Sequence, residues 1–142
     1  MCMDKAYYRI LAVDYGDVRI GLALSDLTRI IASPYETYTR QNTTKDLQYI
    51  ADLVKEKQVG VVVFGLPLNM DGSEGDRALK TRTFAQKLSE LVDCKIDFCD
   101  ERLSSVSAEN ILLTADVSRQ KRKQVIDKLA ATIILQEYLD AQ

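Results

Sequence analysis

Histidine is absent from this chain of 142 residues. Without an imidazole there is no Ser-His or Cys-His nucleophile pair, no HExxH zinc site and no ordinary imidazole acid-base catalysis. Cysteine is scarce as well: Cys2, Cys94 and Cys99 are odd in number and show no CxxC spacing. If 94–100 is a strand, Cys94 and Cys99 face opposite ways, because side chains alternate with period two. A disulfide or zinc site is therefore not expected, and the cysteines read as buried reduced thiols. No apolar run approaches the roughly 20 residues of a membrane helix. Asp4 and Lys5 precede a strand-like segment with no separate apolar stretch and cleavage site, so a cytoplasmic location with no membrane partner is expected. Whatever chemistry the chain performs must come from carboxylates, Lys, Arg, Tyr, Cys or Ser. Carboxylates point to the oxygen-seeking ions Mg²⁺ or Mn²⁺.

The length suits one domain over 1–142, and at 46% hydrophobic and 28% charged residues the composition supports a core without staples. Residues 7–14 and 19–26 read as paired strands, their connection too short for a parallel crossover. Between them an apolar run stops on Asp14 and turns over Gly16. Gly21 removes a side chain from the second strand, where something can approach closely. A third extended piece at 30–38 carries Pro34, which confines it to a sheet edge or a bulge. Asn42-Thr43-Thr44 then supplies capping groups for a helix over 44–57. The β-branched run 59–65 reads as a strand buried on both faces. A polar loop follows at 67–75, then a second helix marked by Ala78, Phe84, Ala85, Leu88 and Leu91, and a strand at 95–99 ending in Asp100-Glu101-Arg102. Ser104 and Ser105 can cap another helix striped by Ala108, Ile111, Leu112 and Ala115. A last helix over 121–140 turns Val125, Ile126, Leu129, Ala130, Ile133, Ile134 and Tyr138 inward. Three antiparallel strands followed by alternating helices and buried strands predict a mixed five-stranded α/β sheet with helices on both faces.

Two strands in this order end on acids. Strand ends of an α/β sheet collect ligands at one rim. If the last strand runs parallel to the first and near it, Asp14 and Glu101 share that rim. Asp127 lies at the border of the packed face of the last helix, where small Ala130 and Ala131 permit close approach to the sheet. Three such carboxylates can hold two divalent ions roughly 4 Å apart and hydrolyse a phosphodiester without histidine. Each acid also has a plain structural alternative: Asp14 as a turn cap, Glu101 paired with Arg102 or Lys95, Asp127 with Lys123 or Lys128. The formal net charge of -2 gives no global attraction to nucleic acid. Locally, Arg119, Lys121, Arg122, Lys123 and Lys128 share a stretch whose only acid is Asp127, a cationic approach surface suited to a polyanion.

Taken together, Asp14-Tyr15-Gly16-Asp17-Val18-Arg19-Ile20-Gly21, Gly65-Leu66-Pro67 leading to Asp71-Gly72, Asp100-Glu101-Arg102-Leu103-Ser104 and Asp127-Lys128-Leu129-Ala130-Ala131 resemble the YqgF/RuvX family of Holliday-junction-resolvase-like nucleases. The resemblance covers nearly the whole chain, with its motifs in order. It implies a ribonuclease H-like fold, a cytoplasmic bacterial setting and nuclease action on the 5′ end of precursor 16S ribosomal RNA, with junction-resolving DNA cleavage as an alternative. It places catalytic and metal-ligating roles on Asp14, Glu101 and Asp127. Related resolvases carry an acid at the end of the fourth strand, where this chain has Gly65-Leu66-Pro67. Arg19 is assigned to the scissile phosphate or to holding a carboxylate, with a surface ion pair as its plain alternative, and Arg102 likewise. Lys121, Arg122 and Lys123 are assigned to backbone phosphates. The expected partner is nucleic acid, structured RNA ahead of branched DNA, bound by a monomer or a homodimer. Two rival readings are an actin-like nucleotide-binding domain, which needs a second such domain around its cleft, and an adaptor that binds nucleic acid or the transcription machinery without cleaving.

Overall fold

A computed structural model describes residues 7–67, 71–100 and 119–141, the first ten of the last segment by backbone alone. In chain order the described elements are β1 (Arg9–Tyr15), β2 (Arg19–Ser25), β3 (Ala32–Thr39), α1 (Thr43–Glu56), β4 (Val59–Leu66), α2 (Asp76–Ser89), β5 (Lys95–Asp100) and α3 (Arg119–Asp140). The five strands form one sheet in the order β3-β2-β1-β4-β5. The first three are mutually antiparallel, while β4 runs parallel to β1 and β5 parallel to β4. The mixed α/β sheet expected from the hydrophobic pattern is thus the one found. β5 is parallel to β1 as anticipated, but β4 lies between them.

Period-two alternation along the strands divides the core into two layers. Leu11, Val13, Ile20, Leu22, Val62 and Phe64 face α1 and α2, meeting Ile50, Leu53, Phe84 and Leu88. Ile10, Ala12, Ala23 and Val63 face the other way, against Ala131, Ile134, Leu135 and Leu139 of α3. Alanines at 12, 23, 130 and 131 are all fully buried, so the sheet and helix backbones approach closely there. Cys94 packs with the first layer and Cys99 with the second, on opposite faces as the spacing requires.

Several boundaries differ from the sequence pattern for identifiable reasons. β3 begins at Ala32 rather than 30 because the Asp26 carboxylate accepts the N–H groups of Ile30 (2.7 Å) and Ile31 (3.0 Å), closing a loop in their place. Those bonds and two from Thr28, through its hydroxyl and its N–H, hold the Asp26 carboxyl far below the usual range. Pro34 sits on the open edge beside a register shift, as its missing N–H demands. α1 is capped by Asn42, whose side chain accepts the Lys45 N–H at 2.9 Å. α2 ends at Ser89, so Leu91, read above as part of its apolar stripe, lies beyond the helix and is exposed. α3 starts two residues earlier than the pattern suggests, at Arg119. The helix expected after Ser104 and Ser105 falls outside the described residues.

The loop between β1 and β2 is held from one side by Arg40. Its backbone N–H donates to the Val18 carbonyl (2.9 Å) and its Nη1 to the Gly16 carbonyl (3.3 Å). The same guanidinium lies 4.7 Å from the Tyr15 ring centroid and donates through Nε to Asp46 Oδ2 at 2.9 Å. Asp46 is fully buried in the first turn of α1, where the helix dipole favours an anion. Burial by itself would raise its pKa. The Gln41 N–H (3.0 Å), the Arg40 guanidinium and the Tyr38 hydroxyl outweigh that and hold the carboxyl below the ordinary carboxylate value.

Removing one partner of a buried ion pair strands the other, and Arg40 is only partly shielded, so Asp46→Ala should lower unfolding free energy by ~3 kcal/mol, the low end of that penalty. A carboxyl depressed on folding contributes stability that is present above its unfolded pKa of about 3.9 and is lost as pH falls through the folded value. The stability gap between wild type and Asp46→Asn, measured by urea denaturation, should therefore be constant near neutrality and shrink below about pH 4. A gap that persists unchanged into acid would remove the charge of Asp46 from this account.

Candidate active site at the carboxyl rim

Strands β1, β4 and β5 run parallel and therefore present their carboxyl ends along one rim of the sheet. Ile10 and Ala12 belong to the layer under α3, so Asp14, next in that alternating series, belongs to the same face. Its partner in the ladder with β2 is Gly21. On the other side Val13 pairs with Phe64, which brings Gly65 of β4 level with Asp14. With glycine at that level on both flanking strands, neither strand contributes a side chain next to the carboxylate. Asp14 is half-buried, and an ionised acid so placed needs cationic or hydrogen-bonding compensation. Gly65 pairs in turn with Cys99 of β5, on the same face, and the next residue of β5, Asp100, alternates to the opposite one.

The turn after Asp14 is built for tightness. The Gly16 N–H donates to the Arg19 carbonyl at 3.0 Å. A Cβ at position 16 would stand 2.5 Å from that same oxygen, so only glycine fits. Arg19 opens β2 two residues before Gly21, making it the diagonal cross-strand neighbour of Asp14. Diagonal pairs lie roughly 7–8 Å apart, within reach of a long side chain. Alternation from Ala23 through Gly21 puts Arg19 on the α3 face with Asp14.

α3 is oriented by its far end. The Tyr138 hydroxyl donates to Asp97 Oδ2 of β5 at 2.8 Å, Tyr138 packs against the same buried cluster as Tyr8, just ahead of β1, and the Gln136 side chain accepts the Ala32 N–H at 3.2 Å. Burial comes first in raising the Tyr138 pKa to about 12, with the Asp97 contact second. The helix C-terminus therefore lies by the amino end of β1, and its N-terminal half runs toward the carboxyl rim. Position 127 is one turn ahead of buried Ala131, about 6 Å along the axis toward that rim.

Of the sequence-predicted site residues, Asp14 and Arg19 are placed together on one face of the rim. Glu101 and Arg102 follow β5 directly and lie outside the described residues, as do the side chains of Asp127, Lys121, Arg122 and Lys123. Among the described residues, no three acidic or cysteine side chains gather into a cation site. Of the three predicted ligands only the Asp14 side chain is described: a rim carboxylate between two glycines, on the face that α3 covers. Sequence reasoning missed Arg40 and Asp46, which fix the turn behind Asp14. A signal existed, since Asp46 falls four residues before Ile50 on the buried stripe of α1, and an acid there must be paired.

Among the described residues, no helix is long and apolar enough to cross a membrane. A family model described as "RuvX: Holliday junction resolvase" matches residues 8–141. A protein of Syntrophomonas wolfei named "Putative pre-16S rRNA nuclease" is 50% identical over 132 residues, covering 93% of this chain and 94% of that one. Among solved structures, Thermus thermophilus RuvC in complex with a Holliday junction substrate superposes with a TM-score of 0.59 at 10% identity, covering 95% of each chain. The Fowlpox virus resolvase in complex with Holliday junction DNA gives a TM-score of 0.58 at 13% identity, covering 94% of this chain and 97% of that one. At such identities these structures establish the fold, which is the expected ribonuclease H-like one. The match over residues 8–141 and the shared identity along nearly the full length of a relative place this chain in the RuvX family.

Proposed function

We propose that the chain is a Mg²⁺- or Mn²⁺-dependent nuclease that hydrolyses phosphodiester bonds in structured RNA, acting in the cytoplasm at the 5′ end of precursor 16S ribosomal RNA. The observation that carries this reading is the placement of Asp14 on the α3 face of the carboxyl rim, between Gly21 and Gly65. The name of the Syntrophomonas relative supports the choice of substrate. Asp14, Glu101 and Asp127 would hold the metal, two ions when substrate is bound. Bound there, the ions supply an activated water and stabilise charge on the leaving oxygen. Asp14 contributes a carboxylate whose direction is set by its strand and by the turn over Gly16. Arg19, diagonal to it, orients the scissile phosphate, and Arg102 is proposed to do the same from the end of β5. Lys121, Arg122 and Lys123 bind flanking backbone phosphates, setting register without reading sequence.

Asp14→Asn keeps the size of the side chain and removes its charge. Cleavage of a 5′-extended 16S precursor fragment should fall by more than the ~100-fold that loss of an outer-shell metal partner costs, with the circular dichroism spectrum unchanged. Equal activity in both proteins would refute the proposed site, and cleavage confined to a four-way DNA junction would move the substrate from RNA to DNA.

Replacing Lys121 and Arg122 together by alanine should weaken binding alike for all sequences. It should also flatten the plot of log affinity against log salt by about 0.7–0.9 per lost phosphate contact. An unchanged slope would place the phosphate-binding surface elsewhere.

A further inference from the structure

The opposite face of the hairpin carries a feature that this nuclease reading does not use. Tyr15, the residue after Asp14, alternates to the α1 and α2 side and packs against Phe84 of α2, ring centroids 4.6 Å apart. Beside that pair lies an open cleft of about 250 Å³ between the start of α1 and α2. Apolar Tyr15, Phe84 and Leu79 and polar Lys80, Thr83 and Lys87 line it. Leu79 is 57% exposed, a large apolar side chain left open to solvent. Lys80, Thr83 and Lys87 are spaced by three and four, which aligns them along one face of the helix.

Charge on α2 is lopsided: Arg77, Lys80, Arg82 and Lys87 stand against Asp76 alone. Arg82 is committed elsewhere, held by Glu74 through two bonds of 2.7 and 2.8 Å. Lys80 comes within 3.6 Å of Asp17 at the hairpin tip, with 60% and 66% of the two side chains exposed. A pair so open to water contributes little and yields readily to a phosphate. Lys80 and Lys87 are two turns apart, about 10.5 Å along the axis, enough to contact phosphates on either side of a nucleotide between them. The cleft is smaller than the roughly 300–1,000 Å³ of pockets that enclose free small molecules. It suits one unit of a chain that is held at both ends.

We infer that this cleft binds a single-stranded stretch of the RNA flanking the cleavage site, with one base against the exposed Leu79 side chain beside the Tyr15–Phe84 pair and the adjoining phosphates on Lys80 and Lys87. This rests on the nuclease reading only for the identity of the polymer. Asp14 and Tyr15 are neighbours on opposite faces, so a strand leaving the acidic side of the rim passes the hairpin tip and descends onto α2. Apolar and aromatic surface with flanking cations is the general means of holding single strands without sequence preference.

The test is binding of a fluorescein-labelled twelve-nucleotide oligouridylate to the full chain in EDTA, followed by anisotropy over a range of salt. Each phosphate contact on a single strand contributes about 0.7 to the log–log salt slope, so Lys80→Ala with Lys87→Ala should flatten it by about 1.4. Leu79→Ser, which alters the exposed apolar lining without touching charge, should lower affinity several-fold at an unchanged slope. Wild-type affinity and slope in both variants would overturn the cleft while leaving nuclease activity, assayed separately through Asp14→Asn, intact. A wild-type chain that binds no oligouridylate would overturn the cleft as well. Loss of affinity in the double lysine variant with cleavage absent from every protein would instead retain the cleft and refute the nuclease reading.

Discussion

The buried carboxylate of Asp46 is the constraint on which the placement of the rim depends. A fully buried charge is tolerable only when its lone pairs are filled, and here three donors fill them: a backbone N–H, a guanidinium and a phenol. The guanidinium that serves Asp46 is also the group that reaches the Gly16 carbonyl. A requirement of helix α1 is thereby transmitted to the turn. Loosening either end of the Arg40 side chain removes one of the bonds that hold the turn after Asp14.

The sheet itself acts as a divider. Because β1 sends alternate side chains to opposite layers, Asp14 and Tyr15 serve different surfaces although they are adjacent in sequence. Asp14 joins Arg19 on the α3 face, and Tyr15 joins Phe84 and the lysines of α2 on the other. One-residue slippage of β1 would exchange these assignments and bury the carboxylate against Phe84. The ladder pairs on both sides, Val13 with Leu22 and with Phe64, keep that from happening.

Much of this arrangement is legible in the sequence, because it is written in periodicity. The β-branched run at 59–65, the capping Asn42 and the alternation around Asp14 each follow from local rules that the tertiary structure leaves intact. Two things are not local. The insertion of β4 between β1 and β5 is a matter of crossover, which no spacing within β5 reveals. The end of α2 is misjudged because Leu91 continues the helical spacing of Leu88 and Ala85 after the chain has already turned, its Leu91 N–H bonding the Leu88 carbonyl instead. Asp14 is readable as a rim acid from its own neighbours, whereas Arg40 and Asp46 become visible only when an acid on a buried stripe is treated as a demand for a partner.

The absence of histidine and the small negative net charge then meet at one physical problem. In the proposed reading the acidic rim must take a phosphate, and a chain of charge -2 offers no long-range attraction to draw one in. At physiological salt the Debye length is about 8 Å, so only cations within roughly that distance of the reacting phosphate help. Arg19, diagonal to Asp14 across an antiparallel ladder, satisfies that limit by register alone. Lys80 of α2 reaches the hairpin tip from the other face, where it meets Asp17, and the proposed cleft places the α2 lysines on neighbouring phosphates of the strand. In the proposed reading, division of the cations between the two faces lets a net-negative chain hold a polyanion across its acidic rim.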